Sequence, residues 1–232
     1  MRIAIFSDAH GNYLNLLSFF KSTEELGIQQ FICLGDLCNY YPDNKKVIDF
    51  IKVKNMTCLL GNHDDLYISK VSLSGQKKQD YNFDEALLLD EDRLKFLKSL
   101  PLSYEIEVSG KKLFFCHASP HDLINTYVYP DSDLDTYNEV PYDYIFMGHT
   151  HRQFLKEHNG KLFCNVGSIG LPRDNGTMMG FAVLETQDMS VTLYRKKINV
   201  EEIKTQYQNN TPIQVLELLN RKETINYNYT II

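Results

Sequence analysis

Short apolar runs alternate with stretches of helical periodicity along the first half of the chain, the pattern of an α/β protein. Residues 2–6 predict a buried strand, and residues 13–26 a helix with Asn12 as its N-cap and Gly27 as its stop. A second strand is expected over residues 31–34. A helix from about Asp43 follows, with Val47, Ile48 and Ile51 on one face, then a third strand over residues 56–60. Residues 66–100 are polar and helix-rich, with Leu94, Phe96 and Leu97 near their end and Pro101 as terminator, and are expected near the site mouth.

Beyond residue 104 the period shortens to that of strands. Residues 104–108 alternate, Ser109-Gly110 turns, and residues 111–116 return as an apolar strand. Residues 144–147 form another buried run. Asn159-Gly160, between Phe154-Leu155 and Leu162-Phe163, is a two-residue hairpin signal, and residues 181–184 and 191–194 supply two more strands. A last helix is expected over residues 212–219, then a tail over 227–232 that adds a short strand or stays unstructured. With no internal repeat and no linker, residues 1–232 read as a single domain.

Composition narrows the class of protein. A net charge of -6 argues against gripping a long nucleic-acid backbone, and no apolar run is long enough to span a bilayer. The apolar opening over residues 1–6 is too short for a secretory leader, so a cytoplasmic protein is expected. Cys33, Cys38, Cys58, Cys116 and Cys164 form no CxxC pair and sit mostly in apolar segments, which suits reduced core thiols.

The chemistry lies at the ends of the predicted strands. IAIF leads to Asp8 and His10, FICL to Gly35-Asp36, CLL to Gly61-Asn62-His63-Asp64, LFFC to His117, and YIFM to Gly148-His149-Thr150-His151. In α/β architecture the carboxyl ends of strands converge on one edge of the sheet, so these side chains are expected in one cleft. In an extended segment residues two apart point the same way, which would aim Asp8 with His10, and His149 with His151. Imidazole, carboxylate and amide oxygen without thiolate suit Mn, Fe, Zn, Ni or Mg. Two divalent ions against Asp8, Asp36 and one hydroxide leave a net charge of about plus one, a centre that draws in an anion. Hydrolysis of a phosphate ester is the chemistry such a pair supports.

In this order, DxH, GD, GNHD, a lone His after a strand, and GHxH resemble the calcineurin-like metallophosphoesterase superfamily, and GDLCNYYPD, FCHASP and NVGSIGLPRD are similar to segments of its small single-domain prokaryotic branch. The resemblance implies a four-layer α/β/β/α sandwich of two mixed sheets flanked by helices. It implies that Asp8, His10, Asp36 and His151 hold one divalent ion and that Asp36, Asn62, His117 and His149 hold another, with Asp36 bridging. A metal-held hydroxide would attack phosphorus in line, and His63 would assist the leaving oxygen, with Asp64 orienting it. The substrate implied is a small phosphodiester, phosphomonoester or nucleotide, and the family also suggests a homodimer. A phosphoprotein phosphatase and a catalytically silent scaffold on the same fold are the alternatives.

Departures from the family bear on the substrate. Where the protein serine/threonine phosphatase branch has DRG, this chain has Leu37-Cys38-Asn39-Tyr40-Tyr41, so that branch's phosphate-binding arginine is missing. Arg173 is a better substitute than Arg152, and Arg173 and Asn12 are the candidate substrate contacts. Asn39 and Tyr41 stand where the small branch often has glycine, and Val166 where it often has proline. Tyr40, Tyr41, Tyr67, Tyr127 and Tyr129 could stack on a nucleobase or simply cover apolar surface. His121 is a candidate pocket residue and His158 a solvated one. Asp131, Asp133 and Asp135 lack the glycine and the glutamate of a Ca²⁺ loop.

Overall fold

In the computed structural model, which describes residues 1–72, 89–223 and 227–232, the apolar run at the start becomes β1 (Arg2–Phe6) at the middle of a sheet. Its alternate residues serve two cores. Ile3 and Ile5 pack toward a second sheet, while Ala4 and Phe6 pack toward helices, which is why the whole run is apolar. Beside it lie the parallel strands β2 (Gln30–Cys33) and β3 (Thr57–Cys58).

The other strands follow in chain order: β4 (Ser103–Val108), β5 (Lys111–Cys116), β6 (Tyr144–Met147), β7 (Phe154–His158), β8 (Lys161–Asn165), β9 (Met178–Glu185), β10 (Ser190–Lys197) and β11 (Thr230–Ile231). The first sheet has the order β11-β10-β9-β1-β2-β3 and the second β4-β5-β6-β8-β7. Both mix parallel and antiparallel pairs, as expected for this architecture. The tail, expected either to add a short strand or to stay unstructured, adds β11, paired with Tyr194 and Arg195. Both two-residue turns have left-handed backbone throughout, at Ser109 and Gly110 and at Asn159 and Gly160, the geometry that lets a tight hairpin follow strand twist.

Helices α1 (Tyr13–Thr23), α2 (Asn44–Lys54), α3 (Asn62–Ser72), α4 (Glu91–Lys98), α5 (Val200–Tyr207) and α6 (Ile213–Glu217) complete the regular structure. Leu16 and Phe19, Val47, Ile48 and Ile51, Leu97, and Ile203 and Tyr207 all join the core on the outer face of the first sheet. The second sheet turns Phe114, Ile145 and Phe163 onto Val128, Leu134 and Tyr137 of the segment between β5 and β6. The predicted first helix ends early, its last turn being 3₁₀ over Glu24–Leu26, and α5 lies in a stretch with no predicted helix. Of the helical segment expected over 66–100, α3 and α4 are its described parts, and residues 73–88 lie outside the described residues. No helix among the described residues is long and apolar enough to cross a membrane.

Candidate metal centre

All the motif loops leave the carboxyl ends of β1, β2, β3, β5 and β6, and they meet where the two sheets abut. The pleated arrangement expected of DxH and HxH is not what aims their side chains. Asp8 (φ 59°), His10 (φ 48°), Asp36 (φ 57°), His149 (φ 66°) and His151 (φ 57°) all occupy left-handed backbone, so turns rather than an extended strand turn each pair inward. Each such residue costs roughly 1–2 kcal/mol. Hydrogen bonds between loops hold the conformation: Asp8 N donates to Gly35 O (3.0 Å), His10 N to Asp36 O (2.9 Å) and Gly11 N to Leu37 O (2.8 Å).

Close backbone approach sets the rest. A Cβ on Gly61 would come within 2.1 Å of Asp36 Oδ1, and one on Gly148 within 2.3 Å of Ser7 Oγ and 2.8 Å of Asp8 Oδ2. Neither position has room for a side chain. Asn165, buried behind the GHTH loop, donates to Gly148 O (2.6 Å) and Thr150 Oγ1 (3.0 Å).

The side chains so delivered converge. Ligand-type atoms of Asp8, His10, Asp36 and His151 lie within 4.8 Å of one another, all on buried residues. His151 Nε2 is 3.2 Å from Asp8 Oδ1, and His10 Nε2 is 3.5 Å from Asp36 Oδ2. On the other side of Asp36, His117 Nε2 is 3.4 Å from the same Oδ2, and Asn62 Oδ1 is 3.0 Å from both His117 Nε2 and His149 Nδ1. Every predicted ligand therefore reaches one cluster, with Asp36 between its halves.

Which nitrogen each imidazole turns inward is fixed from behind. Nδ1 of His10, His117 and His151 faces the carbonyl of Cys38 (2.9 Å), Leu34 (3.0 Å) and Leu171 (2.6 Å) respectively. A carbonyl only accepts, so Nδ1 carries a proton and Nε2 faces the cluster. His149 is reversed: its Nε2 faces Asn125 O (3.0 Å), leaving Nδ1 inward. These anonymous carbonyls, and Asn165, are functional groups the sequence reading missed.

The donor set fits divalent cations. Asp8 Oδ1 and Asp36 Oδ2 are buried and make no hydrogen bond, although an unsolvated carboxylate oxygen is costly without a cation or a donor. Burial alone would raise both carboxyls, yet the neighbouring imidazoles of His151 and His117 hold them well below the usual carboxylate range. Burial lowers His10, and pushes His149 down to about 4. His117 goes the other way: burial opposes its charge, but Asp36 and then Asp8 push it up to about 9.

The family model of the calcineurin-like phosphoesterase superfamily domain matches residues 1–189. The chain belongs to that superfamily. An uncharacterized protein of Methanocaldococcus jannaschii is 31% identical over 220 residues, covering 86% of this chain and 89% of its own. The fold of this calcineurin-like phosphoesterase is also that of a metallophosphoesterase from Sphaerobacter thermophilus (TM-score 0.74, 22% identity, 95% of this chain and 99% of that one). A hypothetical protein from Pyrococcus horikoshii is similar again (TM-score 0.76, 18% identity, 94% and 97%).

Around the cluster of this calcineurin-like phosphoesterase, some expected contacts take other forms. Asp64 was expected to orient His63. Its carboxylate instead accepts the backbone N–H groups of Leu37 (2.9 Å), Cys38 (3.0 Å) and Gly61 (3.2 Å), because it opens α3 directly beneath the Asp36 loop. Burial, with the charge of Asp36, pushes Asp64 up to about 7. Asn12 was expected at the substrate. It is fully buried, caps α1 by accepting from Asn15 N (3.1 Å) and donates to Gly170 O (3.0 Å), which leaves it a structural role.

Arg173, half-buried at the rim, donates to Tyr40 Oη (3.1 Å), and Tyr40 Oη lies 3.4 Å from His63 Nε2. Arg152 is committed to Glu223, to which it donates from both terminal nitrogens. Tyr41 and Tyr67 are buried, so neither is free to stack on a substrate. Tyr127 is 46% exposed, and its ring stacks on His149 at 4.0 Å. His121 is tied to Thr136 O (2.9 Å) and the ring of Tyr137.

Proposed function

We propose that this phosphoesterase is a dinuclear metal-dependent hydrolase of small phosphate esters. The observation that carries the reading is the buried, unsatisfied Oδ2 of Asp36, set between His10 Nε2 (3.5 Å) and His117 Nε2 (3.4 Å). Asp8, His10, Asp36 and His151 would hold one divalent ion, and Asp36, Asn62, His117 and His149 the other. Bound there, such ions polarise phosphate oxygens and make water acidic enough to act as a nucleophile at neutral pH.

The chain's own residues supply the rest. Arg173, with no carboxylate partner among the described residues, offers a fork of donors to a phosphate at the rim. His63 follows Asn62, with its Nε2 3.4 Å from Tyr40 Oη, and would assist the leaving oxygen. Burial lowers its basicity. The carbonyls behind His10, His117, His149 and His151 fix which ring nitrogen each turns toward the cluster.

Metal analysis of the purified protein, joined to hydrolysis of an aryl phosphodiester and an aryl phosphomonoester with added Mn²⁺, tests the reading. Asp36→Asn should take up less metal and lose at least about a hundredfold in kcat. Absence of metal uptake, or an Asp36→Asn variant as active as wild type, overturns it.

A further inference from the structure

A cavity of about 570 Å³, the size of a small-molecule site, has none of the proposed metal ligands in its lining. Phe154, Leu155 and Lys156 of the edge strand β7 line it, with Tyr129 and Pro130 from the segment between β5 and β6. The C-terminal segment, beyond the residues matched to the family, adds Glu223 and Tyr227. Two features tie this cavity to the cluster. Arg152, in its lining, directly follows His151. The ring of Tyr129 lies parallel to that of Tyr127 (centres 5.9 Å apart, 6° between planes), and Tyr127 stacks on His149 at 4.0 Å. Both tyrosines are exposed, so a path of ring faces runs from the cluster to the cavity.

The charges around the cavity balance. Arg152 pairs with Glu223, the buried Arg195 pairs with Asp174, and Lys156, whose Nζ donates to Pro130 O (3.2 Å), stands with Asp131 in the lining. Such a lining does not select an anion. What it lacks is a donor. Gln153, buried in the lining, gives its side-chain nitrogen to the carbonyls of Phe181 (2.8 Å), Tyr194 (3.2 Å) and Val166 (3.3 Å), which settles the other end of the amide as oxygen. The donor to that Oε1 is Tyr227 Oη at 3.5 Å, and the same hydroxyl has its one proton to share with Asp174 Oδ2 (3.4 Å). Gln153 Oε1 is thus a buried acceptor at the limit of hydrogen-bonding distance from its donor.

We propose that this cavity is a subsite for a nucleobase, carried by an ester whose phosphorus sits at the metal cluster. Tyr129 supplies a ring face on which a base stacks. Gln153 Oε1 accepts from a ring N–H or an amino group, and the balanced charge suits an uncharged heterocycle. The substrate class is then a nucleotide ester, and a simple alkyl ester makes none of these contacts. The assignment rests on the hydrolytic reading given above for the phosphate, while the base is held by residues that the metal centre does not use.

The test has two arms. Calorimetric titration of the zinc-loaded full-length protein with adenosine and with guanosine should give a Kd of about 1 mM or below for at least one of them, and no binding of ribose. Backbone NMR shifts on nucleoside addition should fall on Asp131, Leu155 and Lys156, and Tyr129→Ala should weaken binding at least about fivefold. In the second arm, with Mn²⁺ added, the p-nitrophenyl ester of a nucleoside 5′-phosphate should exceed methyl p-nitrophenyl phosphate at least about tenfold in kcat/KM, through KM, and Tyr129→Ala should reduce that advantage. Failure of both nucleosides to bind, shifts confined to residues outside the cavity, or binding that Tyr129→Ala leaves unaltered overturns the proposal. If a nucleoside binds in the cavity and no ester is hydrolysed, the hydrolytic reading fails and the subsite stands.

Discussion

His149 Nε2 lies 3.0 Å from the carbonyl oxygen of Asn125, which makes this the one cluster imidazole that turns Nδ1 inward. The carbonyl is set by Asp122, whose carboxylate accepts from Ile124 N (3.2 Å), Asn125 N (3.0 Å) and Thr126 Oγ1 (3.1 Å). Asp122→Ala should therefore loosen His149 and weaken metal binding about 10–100-fold while leaving the fold intact. Calorimetric titration with Mn²⁺ reads the change directly, and an unaltered affinity would show that the loop does not support the ligand.

The proposed ligands follow strands of both sheets: Asp8, His10, Asp36 and Asn62 those of the first, His117, His149 and His151 those of the second. Bound cations would tie the sheets together and relieve the unpaired carboxylate oxygens. At a thousandfold excess over Kd the stabilisation is about 4 kcal/mol. For a chain of this size the melting temperature should rise by about 10 °C on Mn²⁺ addition and return on chelation. Differential scanning calorimetry checks this, and a melting temperature indifferent to both would count against a shared site.

The pH dependence follows from His117. Asp36 and Asp8 raise it against burial, from an ordinary 6.5 to about 9, so in the metal-free protein it keeps its proton throughout that window. A ligand must give up its inward proton. Metal uptake between pH 6.5 and about 9 should thus release a proton from His117, with apparent affinity rising about tenfold per pH unit and levelling off above. Titrations in two buffers of different ionisation heat measure the released proton; equal heats in both would refute the assignment.

Outside the cluster, Arg195 is fully buried and pairs through both terminal nitrogens with Asp174, while one of them also donates to Tyr227. Asp174→Asn keeps the shape and strands the guanidinium, at a cost of about 3–5 kcal/mol. Chemical denaturation should show that loss, and a variant within about 1 kcal/mol of wild type would mean water or Tyr227 can replace the carboxylate.

Much of this organisation is legible in the residues, and the exceptions share a cause. The strand runs and Asn159-Gly160 were readable because their periodicity and turn chemistry are local. The convergence of Asp8, Asp36, Asn62, His117 and His151 was readable because ligand types follow strand ends. Asp64 and Asn12 were misassigned because residue type names a polar group but not its partner: both spend their side chains on backbone N–H groups and a carbonyl. The carbonyl of Asn125 could not be seen at all, since every residue has one. Extended geometry at DxH failed for a related reason, because only tertiary hydrogen bonds make left-handed aspartate and histidine tolerable.

Those left-handed positions carry an implication for the stability of the fold. At Asp8, His10, Asp36, His149 and His151 the backbone would be more comfortable with glycine, so the chemistry is kept at these sites against the interest of folding. A glycine in place of one of these residues would relieve the backbone strain and remove a buried polar group together.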